Sequence, residues 1–434
     1  MLDIRHIRDL PDQVRSALRR RGESDAAEAV DRILDLDGSR RAAITEADEL
    51  KARRNEVSRT IGELKRKGEG AEDLILEMRS VGERIAALDG RIREVEEEVE
   101  RILLETPNIP LPEVQEGGEA DAVEVHASGT PTTHPFPALP HWELGQSLGI
   151  LDLERGARIS GSGFPVLRGA GARLQRILVE WMMEIHREEH GYEELLVPHL
   201  VTRETLTGTG QLPKFANDSY RTEADDLWLI PTAEVPLTNL HGGELLSAED
   251  LPIGYVTCTP CFRREAGAAG KDTRGLLRVH QFDKVELVRL ERPERSREAL
   301  EELVRHAGTI LDRLGLAWRV ARLAAGDLGI ASAMTYDLEV WAPGVDRWLE
   351  VSSCSTCTDY QARRADLRFR PAPGEKPLYL HTLNGSALAL PRLVVAILET
   401  FQEEDGTVRI PRVLRDRMGT DRISGPSLSR SAAG

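Results

Sequence analysis

Residues 261–288 read CFRREAGAAGKDTRGLLRVHQFDKVELV. A strand ends in Phe262-Arg263-Arg264-Glu265, a loop with three glycines and several cations follows, and a second strand is expected over Leu276 to Leu290. Side chains alternate along a strand, so Arg278, His280, Phe282, Lys284 and Glu286 share one face. That face is too polar for a core, and a solvated strand has no need of such a loop leading from an Arg-x-Glu end. It suits the floor of a ligand site, with Phe282 as a stacking surface and Arg263 as a bidentate phosphate grip. The chain carries neither a G-x-x-x-x-G-K-[ST] loop nor a G-x-G-x-x-G fingerprint, so P-loop and Rossmann routes to phosphate are unsupported.

Upstream, the first hundred residues are built differently. From Leu74 the apolar positions run Met78, Val81, Ile85, Leu88, Ile92, Val95, Val99 and Ile102, alternating steps of four and three, an unbroken heptad seam. Ile33, Leu36, Ala43, Ala47, Leu50, Val57, Ile61 and Leu64 offer a looser partner, with Arg40 and Arg54 at the missing positions. The short Gly68-Glu69-Gly70 turn between them forces the two helices antiparallel. An arm of about 35 residues at roughly 1.5 Å per residue projects about 50 Å. Residues 40–67 hold nine Lys/Arg against five acids, whereas residues 71–105 hold five Arg against eleven acids. The first helix is thus the one able to meet a phosphate backbone, through Arg40, Arg41, Arg53, Arg54, Lys65 and Arg66. Charge alone is equally served by solvated faces with ion pairs between neighbouring turns. Thr106-Pro107-Asn108-Ile109-Pro110-Leu111-Pro112 ends the second helix, because proline lacks the amide donor and crowds the turn before it.

Downstream, residues from Ala172 to Gly191 are expected as a helix, with Leu174, Ile177, Leu178, Trp181, Met182 and Ile185 at helical spacing. Glu193 to Val201 follows as a strand interrupted at Pro198. The composition, 40 % hydrophobic, 30 % charged and 4 % aromatic over 434 residues, is globular with a heavily charged portion. The net charge of −16 governs solubility and steering, and says little about a nucleic-acid partner, whose binding follows local clusters of cations. No run approaches the roughly 18 apolar residues of a membrane span, and the charged start Met-Leu-Asp-Ile-Arg-His does not suit a signal peptide. A cytoplasmic location without a membrane partner is expected. Cys258/Cys261 and Cys354/Cys357 form two Cys-x-x-Cys pairs with roughly 90 residues between them. Zinc ribbons set such pairs about 15 to 20 residues apart, so ordinary thiols and no zinc are expected.

Phe262-Arg263-x-Glu265, the loop, and Arg278-Val279-His280-Gln281-Phe282 resemble motif 2 of the class II aminoacyl-tRNA synthetases, in its seryl form. Thr232-Ala233-Glu234 resembles the family's serine-binding segment. Glu350-Val351-Ser352-Ser353-Cys354 resembles its acidic strand beside nucleotide and metal. His381 to Ser386, with Arg392 beyond, resembles motif 3. The helix before Pro198 would be motif 1, the family's dimer interface, and the match extends through the coiled-coil arm. Arg264 stands where a small residue is usual, and Ala387 and Pro391 where glycines are common; none of these removes a charged catalytic group.

The resemblance implies an α+β fold: an N-terminal antiparallel coiled-coil hairpin (1–105, arm from about 30), a linker (106–135), a class II catalytic domain on an antiparallel β-sheet flanked by helices (136–419), and a disordered tail (420–434). It implies a serine–tRNA ligase that forms seryl-adenylate and pyrophosphate from serine and ATP, then loads serine on the 3′ end of tRNA(Ser), leaving tRNA(Sec) open as a second acceptor. Arg263, Glu350 and Arg392 would be catalytic, Arg263 bridging the α-phosphate and the serine carboxylate and Arg392 holding the γ-phosphate. Thr232, Ala233, Glu234, Arg263, Glu286, Asn384 and Ser386 would bind serine. Arg263, Arg264, Glu265, Val279, Phe282, Glu350, Val351, Ser352, Ser353 and Arg392 would bind ATP, with Mg²⁺ on Glu350 and Ser353. The enzyme would be a homodimer whose arm meets the long variable arm of serine tRNA, with the anticodon unread. A resistance-type duplicate of the same enzyme shares this chemistry and is an open alternative. An amino acid:carrier-protein ligase fits less well, since such relatives lack or rebuild the arm.

Overall fold

The computed structural model describes residues 1–266 and 274–425. It divides into two compact units, one spanning residues 2–107 and the other residues 108 onward together with Met1.

In the first unit, α1 (Ile4–Asp9) and α2 (Pro11–Arg20) precede the long helices α3 (Ser24–Lys67) and α4 (Glu72–Glu105). Gly68 ends α3 in the left-handed conformation, at φ 75°, that a side chain would resist. The helices then run back to back: Leu88 of α4 packs on Ala43 and Ala47 of α3. Every residue of the expected α4 seam is buried or half-buried, while Leu76, off the seam, is exposed. Small alanines opposite the larger seam residues let the helices approach closely. The cations of α3 face acids across the seam: Arg40 bonds Glu96 at 3.1 Å, Lys51 bonds Asp89 at 3.0 Å, and Arg53 pairs with Glu77.

The second unit is built on one eight-stranded sheet. Its elements are β1 (Val123–Ser128), α5 (His141–Ser147), α6 (Ala170–Glu188), β2 (Glu193–Glu194), α7 (Glu234–Thr238), β3 (Ile253–Phe262), β4 (Gln281–Glu291), α8 (Ser296–Leu314), β5 (Trp318–Arg322), β6 (Met334–Ala342), β7 (Arg347–Thr358), α9 (Tyr360–Ala365), β8 (His381–Ala389) and α10 (Leu390–Thr400). The strand order is β1-β5-β6-β7-β8-β4-β3-β2. All pairings are antiparallel except that of β2 with β3. The core lies between this sheet and α6, α8 and α10, whose apolar stripes supply Leu178, Leu303 and Val394 among many others.

Three sequence expectations differ from what is observed. The stretch taken as a linker supplies β1, paired with β5, and the Asn108 amide is buried against the carbonyls of Ala331 and Cys357, each at 2.8 Å. The start of the expected tail is folded: β9 (Val408–Arg409) pairs with β10 (Arg422–Ile423), and Ile423 is buried. The rest of that tail, 426–434, lies outside the described residues. Finally, β4 begins at Gln281, five residues later than expected, and Glu193–Glu194 and Leu200–Val201 are separate two-residue strands.

Candidate active site

The central strands β7, β8, β4 and β3 bring three of the recognised segments side by side. Registers place Glu286 opposite Ser386 on one neighbour and opposite Thr257 on the other, and Gly385 opposite Cys354. Gly385 has no room for a side chain, since a Cβ there would stand 2.9 Å from Cys354 Sγ. Period-two alternation then carries Phe282, Lys284 and Glu286 of the expected face to one side of β4, whereas Arg278 and His280 lie before the strand begins.

Two carboxylates, the half-buried Glu234 and the buried Glu286, meet over that floor. Glu234, at the start of α7, accepts from Gln361 Nε2 at 2.6 Å and from Asn384 Nδ2 at 3.0 Å. Burial, with the charge of Glu286 second, pushes its carboxyl up to about 7. Glu286 is buried and ion-paired with Lys284. The Lys284 ammonium also donates to Thr232 Oγ1 at 2.9 Å and to Ser386 Oγ at 3.3 Å. The charge of Arg263 acts on the Glu234 carboxyl as well, opposing the upward shift. Its guanidinium stacks over Phe282 at 5.3 Å and donates from Nε to the Pro231 carbonyl at 3.3 Å. Such a seat presets the plane of the fork before any anion arrives.

The remaining ATP candidates form a second group. Arg392, in the first turn of α10, donates from Nη1 to the Glu350 carbonyl at 2.9 Å and its carboxylate at 3.3 Å, and from Nε to the Leu277 carbonyl at 3.2 Å. Pro391 sits in that first turn, where its missing amide hydrogen costs nothing. Val351 and Ser352 are buried, and Ser352 Oγ donates to the Ser386 carbonyl at 2.5 Å, tying β7 to β8. Glu265, held at φ 51°, accepts from Arg278 at 2.5 Å, and Val279 is buried. Arg264 is exposed and reaches the Asn217 carbonyl at 3.1 Å. Residues 267–273, the middle of the cationic loop, lie outside the described residues.

Sequence reasoning passed over several groups. Lys284 was visible on the floor face, but nothing local revealed that it would collect Thr232, Ser386 and Glu286. Gln361, which joins Glu234 to Thr382, gives no signal in the sequence. Asp337 of β6 is held by a hydrogen bond from Ser353, and burial, with Glu350 second, raises its carboxyl well above the usual range. Its Oδ1 is buried with no hydrogen-bond partner among the described residues. A further pair is remote from the floor. The fully buried Glu399 of α10 accepts the His141 amide at 2.9 Å and His141 Nδ1 at 2.8 Å through one oxygen, and the amides of Gly344 and Val345 through the other. Nε2 of His141 accepts the Leu276 amide at 3.0 Å, so the ring is fixed as the Nδ1–H tautomer. Helix α10 thereby holds the returning limb of the loop twice, at Leu277 through Arg392 and at Leu276 through His141.

The cysteines are free. Burial pushes the Cys258 and Cys354 thiols up to about 12, well away from thiolate chemistry. Among the described residues no group of three or more His, Cys, Asp or Glu side chains is arranged to hold a metal ion.

Comparison with known proteins agrees with this geometry at the level of the whole chain. Residues 1–110 match the seryl-tRNA synthetase N-terminal domain, and residues 215–401 match the tRNA synthetase class II core domain (G, H, P, S and T). The serine–tRNA ligase of Gemmatimonas aurantiaca is 55 % identical over 96 % of this chain and 99 % of its own. The chain belongs to the seryl-tRNA synthetase family. The serine–tRNA ligase of Chloroflexus aurantiacus is 51 % identical over 98 % of this chain and all of its own. The crystal structure of seryl-tRNA synthetase from Pyrococcus horikoshii complexed with ATP superposes with a TM-score of 0.94 at 39 % identity, over 98 % of this chain and 100 % of that one. The activity is that of the family, ATP-dependent serine–tRNA ligation.

Proposed function

We propose that the pocket around Glu234 and Glu286 binds serine, that the Arg263–Arg392 side binds ATP, and that the two meet at Arg263. The observation that carries this is the joining of two carboxylates, the half-buried Glu234 and the buried Glu286, with the seated guanidinium of Arg263. An amino acid's ammonium and hydroxyl suit the carboxylates, and its own carboxylate suits the arginine. The first step is attack of the serine carboxylate on the α-phosphorus, with pyrophosphate leaving. Two anions must approach in line, so the chain supplies cations and orientation and needs no nucleophile of its own. Arg263 bridges the reacting anions. Arg392, drawn off Glu350, holds the γ-phosphate. Phe282 stacks on adenine beside Glu265 and Val279.

The residues present fit Mg²⁺. Glu350, Ser353 and the orphaned oxygen of Asp337 are oxygen donors, which suit a hard cation that keeps positions for phosphate and water. Glu350 and Ser353 would hold it, and when bound it would offset phosphate charge.

In the second step serine passes to the 3′ end of tRNA(Ser). Of the six candidate cations on α3, Arg40, Arg41 and Arg53 are ion-paired to acids of the hairpin unit, whereas Arg54, Lys65 and Arg66 are exposed toward the Gly68 turn. The RNA contact is therefore assigned to the distal part of α3. No helix among the described residues is long and apolar enough to cross a membrane, and a cytoplasmic location is proposed from the likeness to the curated serine–tRNA ligases. A homodimer is supported by a groove of about 940 Å³ along α6, lined by Val179, Met183, Leu195 and the 94 % exposed Leu196.

The test is serine-dependent ATP–pyrophosphate exchange, followed by charging of total tRNA with labelled serine and identification of the acylated species. Exchange as fast with glycine or alanine as with serine would point instead to a carrier-protein ligase. Sedimentation of the wild type against Leu196→Asp tests the dimer.

A further inference from the structure

The serine pocket contains a buried cation to which the proposed reaction gives no task. Lys284 lies two residues before Glu286 on the same face of β4. Its ammonium touches three of the side chains assigned to serine: Thr232 at 2.9 Å, Ser386 at 3.3 Å, and Glu286 by an ion pair. A hydroxyl has one hydrogen to give and two lone pairs to receive. Thr232 Oγ1 already accepts from the Glu234 amide at 3.3 Å as well as from Lys284, so both its lone pairs are engaged. Only its hydrogen is left for a ligand. The Ser386 hydroxyl likewise keeps its hydrogen, with one lone pair taken by Lys284.

We propose that Lys284 is a specificity-determining positioning residue of this pocket, setting Thr232 and Ser386 as donors and Glu286 as a charge-balanced acceptor. The inference rests on the serine-pocket reading above. A ligand hydroxyl, which gives one hydrogen bond and receives others, satisfies both kinds of group at once. An ammonium on a flexible stem is suited to this task, because its three N–H bonds reach three acceptors while its charge offsets the buried carboxylate. Alanine brings no side-chain oxygen, and leaves the donors and the acceptor unpaired. Threonine carries the same hydroxyl and is excluded by shape, a task in which Lys284 takes no part. Loss of the ammonium therefore erodes discrimination against alanine and leaves discrimination against threonine as it was.

The experiment measures pyrophosphate exchange by the full-length enzyme with serine, alanine and threonine. It uses Lys284→Met, which keeps the stem without the charge, and Lys284→Gln, which keeps one polar head should the first not fold. The expected result is a fall of about 10- to 100-fold in the serine-to-alanine ratio of kcat/KM. The KM for serine rises, the KM for ATP stays unchanged, and the serine-to-threonine ratio holds. An unchanged serine-to-alanine ratio in either folded variant overturns the proposal, as does an equal loss of kcat with all three amino acids. Glu286→Gln separates the two levels of inference. If it too leaves the serine KM unchanged, the pocket itself is misassigned; if it raises the KM while the lysine variants keep their ratios, only the role of Lys284 fails.

Discussion

Glu234 is the residue whose charge the fold controls most visibly. Burial and Glu286 hold its carboxyl at about 7, above the ordinary value of 4.5. Between those values the folded chain keeps a proton that the unfolded chain has released. Its contribution to stability is thus full below about pH 4.5 and is lost as pH rises through about 7. Serine's ammonium favours the ionised form, so serine binding near pH 6 should expel a proton, and the release should fade by pH 8. Calorimetry of serine binding in buffers of different ionisation enthalpy reads this directly, and Glu234→Gln should abolish the buffer dependence. Arg392→Ala should lower kcat/KM for ATP in pyrophosphate exchange by about 10²- to 10³-fold, the usual loss when a preset charge partner is removed. Neither environment is visible in a string of letters. Thr232-Ala233-Glu234 and Arg392 were legible as residues, but the neighbours that tune them, Gln361, Lys284 and Leu277, arrive from other elements.

Individual elements were legible to the extent that their pattern is local. The α4 seam was readable because every contact it makes repeats at the helical period, and α6 for the same reason. The start of β4 was not. Leu276, Leu277 and Val279 are buried, and Leu277 and Val279 stand at the strand period, yet the backbone there is irregular. Its polar groups are met from afar, the Leu276 amide by His141 and the His280 amide by the Gly163 carbonyl at 2.9 Å. Similarly, β1 hid inside a proline-rich approach because an exposed edge strand has no buried face to announce it. The hairpin seam carries its own prediction. Leu88→Ala should destabilise the helical unit by about 2–4 kcal/mol, since the small Ala43 and Ala47 opposite cannot fill the space. Thermal unfolding followed by circular dichroism measures the loss, and pyrophosphate exchange, carried by the other unit, should be unaltered.

On the scale of the whole molecule, the division into a helical unit and a sheet unit predicts that the two steps of the reaction separate. Deleting residues 30–105 should spare adenylate formation and abolish tRNA charging. Charging by the intact enzyme should weaken steeply with added salt, because phosphate contacts release counterions, while pyrophosphate exchange changes little. Triple substitution of Arg54, Lys65 and Arg66 by alanine should flatten that salt dependence more than the triple substitution of Arg40, Arg41 and Arg53, whose charges already face acids.

The buried His141–Glu399 pair has a consequence for how this sequence can drift. Glu399 fills four hydrogen-bonding places at once, on His141, Gly344 and Val345, and His141 fills a fifth on Leu276. No single exchange at position 141 or 399 keeps the other satisfied, so neither site can wander alone. Across descendants of this chain the two positions should either stand still or change together, and the sites they tether around Leu276 inherit the same stillness without touching a substrate.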